Sequence, residues 1–273
     1  MNEIIWGLNE QSKQLLNNSN HKVKYIFDKF TTENKYLEFE INKHIDIFKD
    51  KNITKCIIAS TSYYFEIKKE IESINNNIEI IYIGNYLDNY PKTIMISSVE
   101  ELKKCDYVKY SISGEIVIKN GLVIQLLHDI PISINVDKGA SLYFDNNVLM
   151  DGVEISARET STIAFGNKSY INKFGVIRAK KSINIGDNCA IAWNVCIMDN
   201  DGYAIDGALL SNASVTIGSN VWIGNNVNIL KNTSIDDGCI VASMSKVKGN
   251  FEKNCLIAGI PARKEKENVS WKA

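Results

Sequence analysis

The sequence predicts an α/β domain on a parallel sheet over residues 1–108, then an all-β triangular β-helix over 109–262 and a short tail over 263–273. Two observations carry the prediction. Aliphatic residues recur at every sixth position through Ile217, Ile223, Ile229, Ile235, Val241 and Val247, with a small or β-branched residue four places after each of the first five. Ahead of the coil, strand patterns alternate with helix patterns, and 273 residues leave enough chain there for a second core.

A six-residue period is one short strand plus a corner, and three such sides close a turn of about eighteen residues with the aliphatic column inside. An α-helix rotates about 600° in six residues, so the same positions drift around it. A plain strand needs period two, and Gly218, Gly224 and Gly238 would weaken it. The register recurs upstream as Phe165, Ile171 and Ile177, slips by two at Lys181–Ser182 as a corner insertion, and resumes as Ile185, Ile191 and Ile197. Val136, Leu142 and Val148 set the start near residue 130, while Val153–Ile163 breaks the spacing. From Ile197 to Ile217 the step is too long for one side. Residues 199–216 therefore leave the coil as an extruded loop, and long loops on regular scaffolds are usually functional.

In the front domain, residues 3–7 read as a buried strand, Leu8–Leu16 as a helix and Val23–Phe27 as a strand ending at Asp28. Lys55–Ala59 is a third strand, leading into a helix with apolar face Tyr64, Ile67, Ile71 and Ile74; Ile78–Ile83 is a fourth. Ser98 and Glu101 form a capping box. This alternation places ligands at the carboxyl ends of parallel strands. Gly7-Leu8-Asn9-Glu10-Gln11-Ser12 keeps one glycine of the dinucleotide fingerprint, which argues against NAD. Asn9 and Ser12 can donate to a phosphate at the helix start, and Asp28 either accepts from a ribose hydroxyl or caps a turn.

A net charge of -1 offers no global field for nucleic acid or anionic lipid. The first residues lack a basic stretch ahead of their apolar run, and no apolar run reaches a membrane span, so the reading is a cytoplasmic protein. Six cysteines without a C-x-x-C pair fit a reducing compartment, with Cys189, Cys196 and Cys239 in the coil register.

Val221-Trp222-Ile223-Gly224-Asn225-Asn226-Val227, Ile235-Asp236-Asp237-Gly238 and Ala258-Gly259-Ile260-Pro261-Ala262-Arg263 strongly resemble the hexapeptide-repeat acyltransferases, over about residues 130–273. The resemblance implies a left-handed coil, a homotrimer and acetyl-CoA as co-substrate, without a metal. More loosely, Ile5-Trp6-Gly7, Phe27-Asp28 and Ile58-Ala59-Ser60 resemble the Rossmann-like domain that precedes the coil in bacterial sugar acetyltransferases of surface-polysaccharide pathways. By resemblance, Trp222 and Gly224 lie near the thioester arm of the cofactor, Ser243 and Ser245 beside it, and Gly259, Pro261, Ala262, Arg263 and Lys264 around its adenine and phosphates. Arg263 suits a phosphate through its fork of donors and Lys264 adds a point charge, although a solvated basic tail has the same composition. Asn194, Gly7, Asn9, Ser12 and Asp28 are the implied positions for the sugar or sugar-nucleotide acceptor. Val221, Trp222 and Val227 are read as apolar outer-face residues calling for a partner coil.

One departure bears on activity. The family carries Asp-x-Asp-x-His in the loop, its histidine acting as general base, and this chain reads Asp199-Asn200-Asp201-Gly202-Tyr203. A phenol with pKa near 10 is a poor base at neutral pH. The expected function is acetyl transfer to a hydroxyl or amine of a bacterial sugar, with Asp199, Asp201 and Tyr203 as candidate catalytic residues. The alternative is a catalytically impaired homologue that binds CoA or sugar. His21, His44 and His128 precede most of the coil, which excludes the zinc hydrases that use three histidine ligands on this scaffold.

Overall fold

The computed structural model describes residues 2–17, 23–60, 63–87, 92–202 and 211–272. The chain divides into two compact units, Met1–Thr93 and Ile94–Ala273.

The first unit is built on strands β1 (Asn2–Trp6), β2 (Val23–Phe27), β3 (Lys35–Tyr36), β4 (Phe39–Asn42), β5 (Ile53–Ile58) and β6 (Glu79–Tyr82), with helices α1 (Glu10–Asn17) and α2 (Tyr64–Ile74). The sheet order is β3-β4-β2-β1-β5-β6, parallel except for the β3–β4 pair. After β1 the chain builds outward through β2 and β4, then returns to the other side of β1 with β5. That reversal opens a crevice at the strand ends, where open α/β sheets bind ligands. Ile4, Ile5, Ile26, Ile57 and Ile58 are fully buried, consistent with strands covered on both faces. Trp6, Phe27 and Phe48 pack ring to ring at 4.4–5.4 Å.

The second unit is a parallel β-helix. Each lumen residue stacks on its equivalent in the next turn, as in Ile191↔Ile223↔Val241↔Ile257. Ile217, Ile223, Ile229, Ile235, Val241 and Val247 are at most 1 % exposed. Val221 and Val227 are buried in the same column, so they do not belong to the outer face; of that trio Trp222 alone is exposed. Stacking also explains the break at Val153–Ile163. Ile155 pairs with Ile177 and Ile163 with Ile183, so the corner at 158–161 is two residues longer than the equivalent corner at Lys180–Lys181 one turn later. Val148 is half-buried and Leu149 takes the lumen position.

The coil starts earlier than the six-residue period indicates. Val108–Ile112 pairs with Ile132–Val136, and Glu115–Leu126 with Ser141–Met150. Ile96 and Leu102 belong to the coil's core, which moves the boundary from residue 108 back to Thr93. The tail is likewise part of the coil. Ala262–Lys266 pairs antiparallel with Leu256–Gly259, and Val269 N–H bonds Asn254 O.

One corner column holds Gly152, Phe174, Asn194, Asn226 and Met244, all with φ between +56° and +65°. Asparagine tolerates this left-handed backbone better than most residues. Phe174, Trp193 and Met244 stand exposed along that edge.

Candidate functional site

Three cavities lie beside the candidate residues. The front one, of about 610 Å³, sits at the carboxyl ends of β1, β2 and β5 and is lined by Gly7, Asn9 and Asp28 among others. Asp28 Oδ2 accepts from Leu8 N at 2.7 Å, and Oδ1 accepts from Phe30 N and Thr31 N at 2.8 and 3.0 Å. The carboxylate therefore caps its turn and still faces the cavity. Ser12 does not reach it: the residue is fully buried and its hydroxyl donates to Asn9 O at 2.8 Å. The Asn9 amide is turned inward to Ala59 O. Ser12 is therefore not placed to donate to a phosphate as the sequence suggested, whereas Asn9 is exposed at the cavity with one amide hydrogen bond engaged.

The second cavity, of about 530 Å³, lies at the foot of the extruded loop among Arg158, Arg178, Lys180, Asn200, Asp201 and Gly202. The loop leaves the coil after Met198 and strand pairing resumes at Val215. It springs from the corner that holds the longer connections at 158–161 and 180–181. Asp199 is fully buried; its oxygens accept from Lys180 N at 2.8 Å, Lys181 N at 2.7 Å and Asn200 Nδ2 at 3.1 Å. Its own carbonyl takes Ala213 N–H at 3.0 Å and closes the loop base. Asp199 clamps the corner, both of its carboxylate oxygens being held by donors. Asp201 is ion-paired with Lys231 at 2.5 Å, and the same Nζ bonds Ser211 O at 3.0 Å. One lysine thus ties both arms of the loop. Tyr203 lies outside the described residues.

The cofactor candidates fall in three places along the last turns. Trp222 is 43 % exposed beside the Trp271 ring at 6.2 Å, and Trp271 Nε1 donates to Asn220 O at 2.7 Å. Gly224 packs so closely on the next turn that a Cβ there would stand 2.7 Å from Ser243 N; Ser243 Oγ bonds Asn225 Oδ1 at 2.7 Å. Ser245, by contrast, is 1 % exposed and accepts Gly259 N–H at 3.2 Å, so it secures the chain reversal instead of lining a groove. Ala262 is equally buried, packed into the end of the coil, and Pro261 occupies the exposed turn before it after a cis Ile260–Pro261 bond. The third cavity, of about 580 Å³, is lined by Lys248, Phe251, Arg263 and Lys264. Arg263 and Lys248 make no ion pair among the described residues. Lys264 is shared between Glu267 and Glu252, hydrogen bonds that raise its pKa.

Asn194 is exposed at its corner and donates through Nδ2 to Asn226 Oδ1 at 3.2 Å, a link between successive turns. Sequence reasoning missed Trp193 beside it, Trp271 and Lys231. It also missed the pairing of His128 Nδ1 with buried Asp151 at 3.0 Å, whose carboxylate further accepts from Leu127 N and His128 N. None of these has a periodic or motif signal. Cys189 and Cys239 are buried, and burial raises both thiols, Cys239 to about 11, which suits packing and not nucleophilic chemistry. Among the described residues no three His, Cys, Asp or Glu side chains form a metal-binding group, and no helix is long and apolar enough to cross a membrane.

Residues 214–249 match the family described as bacterial transferase hexapeptide (six repeats). The chain is 30 % identical over 125 residues to the provisionally named lipopolysaccharide biosynthesis O-acetyl transferase WbbJ of Escherichia coli (strain K12), covering 41 % of this chain and 64 % of that one. It is 33 % identical over 185 residues to an uncharacterized 24.8 kDa protein in the cps region of Klebsiella pneumoniae, covering 67 % of this chain and 82 % of the relative. A crystallised polysialic acid O-acetyltransferase, OatWY, superposes with a TM-score of 0.49 at 25 % identity over 61 % of this chain and 88 % of that one. With the repeat matched and four-fifths of the Klebsiella relative spanned, the chain belongs to the bacterial hexapeptide-repeat transferases.

Proposed function

We propose that this protein is an acetyltransferase that uses acetyl-CoA to acetylate a hydroxyl, or an amine, of a sugar, sugar nucleotide or surface polysaccharide. In this reading it is a cytoplasmic homotrimer, with a left-handed coil and a Rossmann-like front unit. The observation that carries the reading is the polarity of the last turns. Exposed indole at Trp222 gives way, through Ile240 and Leu256 in the same ladder, to a strand beside Arg263 and Lys248, which make no ion pair among the described residues although Asp236 and Glu252 line the same cavity. Three ladder steps span about 14 Å. An apolar track ending in unpaired cations matches a ligand with a thioester arm at one end and phosphates at the other.

In the reaction the acceptor oxygen or nitrogen attacks the thioester carbonyl, the carbon–sulfur bond breaks, and the CoA thiolate departs with the acceptor proton supplied to it or to a base. Asp199 is unsuited to that proton because its oxygens are held by three donors. Asp201 faces a cavity but is held by Lys231. Tyr203 occupies the position of the family histidine, so turnover rests chiefly on proximity and suits an amine that needs little prior deprotonation. Thiol release from acetyl-CoA in the presence of sugar acceptors tests the proposal. CoA binding without transfer to any hydroxyl or amino sugar would move the reading to the binding homologue.

A further inference from the structure

The front cavity has a charge opposite to that of a phosphate site. Among the described residues, Asp28, Glu66 and Glu70 line it against a single cation, Lys29. That cation is already engaged, bonded to Glu70 and 5.3 Å from the Trp6 ring. The turn where main-chain donors would cradle an anion is also closed. Leu8 N–H goes to Asp28 Oδ2 at 2.7 Å, Asn9 N–H to Ser12 Oγ at 2.7 Å, and Ser12 N–H to Asn9 Oδ1 at 3.0 Å. A diphosphate placed there meets like charge without those donors to offset it.

What the cavity does offer is carboxylate acceptors and aromatic lips. Three backbone donors fix Asp28 in place, and Phe30 and Tyr63 are 90 % and 51 % exposed at the rim. Fixed carboxylates accept from neighbouring hydroxyls or from an ammonium, and an open ring face takes the apolar face of a pyranose or a cation. We propose that the front cavity is a glycosyl-binding subsite for a sugar ring without negative charge, amino sugars foremost, and that it excludes phosphate. The inference goes beyond the acetyl-transfer reading, since binding here is measurable without turnover.

Titration calorimetry on the intact protein tests it, with methyl 2-amino-2-deoxyglucopyranoside, methyl glucopyranoside and uridine diphosphate as probes. The amino glycoside should bind tightest, and Phe30→Ala should weaken both glycosides roughly threefold to tenfold, the scale of one lost aromatic contact. Glu66→Gln, at an exposed side chain, should weaken the amino glycoside alone. Unchanged melting temperatures keep these losses from being misread as unfolding. The proposal is overturned if neither glycoside binds at tens of millimolar, if both ignore Phe30→Ala, or if uridine diphosphate binds as tightly and is weakened by that variant. A parallel titration with acetyl-CoA separates the two readings: its failure counts against the coil's proposed cofactor and leaves the front subsite standing.

Discussion

Two residues at opposite ends of the proposed cofactor track differ in what the fold already asks of them. Arg263 is exposed and gives one hydrogen bond to Ala262 O at 3.0 Å, so its removal should leave the fold intact. Arg263→Ala should weaken acetyl-CoA binding by about 1–3 kcal/mol if a charge-assisted phosphate contact is lost. Equal affinity in variant and parent takes Arg263 out of the site. Asp199 is the opposite case, because Ala there strands the Lys180 and Lys181 N–H groups inside the corner. A stability loss of about 2–4 kcal/mol is expected, read as a lower denaturation midpoint. Tyr203 carries the chemical question. If a base is what the chain lacks, Tyr203→His should raise turnover on a hydroxyl acceptor by roughly 10²–10⁴-fold while Tyr203→Phe changes little. Abolition by Phe and no gain with His would instead assign the phenol a direct role at the acceptor.

At the scale of elements, the coil and the extruded loop are stabilised in different ways. Ile229 is fully buried between Ile197 and Val247, and its column is continuous with the rest of the lumen. Truncation to alanine should cost about 2–5 kcal/mol. The loop depends on polar staples, with Lys231 gripping Asp201 on one arm and Ser211 on the other. Lys231→Met keeps the stem and deletes both contacts. It should lower kcat by roughly tenfold to a hundredfold through misplacement of the loop, with the melting temperature little changed. An unaffected kcat would separate the loop from the chemistry. These two elements also mark what the sequence could disclose. The lumen was legible because burial imposes a period: Ile217 through Val247, and the β-branched or small residues four places on, all point inward. Parallel strands β1, β2 and β5 were legible from their continuous apolar runs. The insertion at 158–161 defeated the period because a corner can absorb extra residues without disturbing the stack. Ser12, Ser245, Ala262 and Asp199 were read as ligand or catalytic groups because spacing cannot say whether a polar or small residue faces a groove or closes a backbone contact. Lys231 was invisible because its partners lie twenty and thirty positions away across a loop.

At the scale of the whole molecule, the exposed edge of the coil bears on assembly. Phe174, Trp193 and Met244 are 40 %, 45 % and 63 % exposed along one corner, whereas most apolar side chains of this unit are enclosed in the lumen. Phe174 and Met244 are three ladder steps apart, so the three side chains form a ridge about 14 Å long. Asn225 and Ser243, bonded to each other, sit on the same edge one and two turns above Trp193. An apolar ridge of this kind on a rigid rod is suited to packing against the same surface region of another coil, and closed cyclic symmetry would cover every ridge in a ring of three. The proposed homotrimer therefore predicts a single species of three times the chain mass by light scattering at micromolar concentration. Trp193→Glu should place an unpaired charge in that contact and shift the population to monomers, with the coil itself still folded because the side chain lies outside the lumen. If the wild-type chain is a monodisperse monomer, the trimer is wrong and the ridge needs another partner. If Trp193→Glu stays trimeric but loses acetyl-CoA, Trp193 is a wall of the cofactor groove and the contact between coils lies elsewhere. Loss of assembly and of acetyl transfer together, with the melting transition of the isolated chain retained, is the outcome expected if the site is completed only between neighbouring coils.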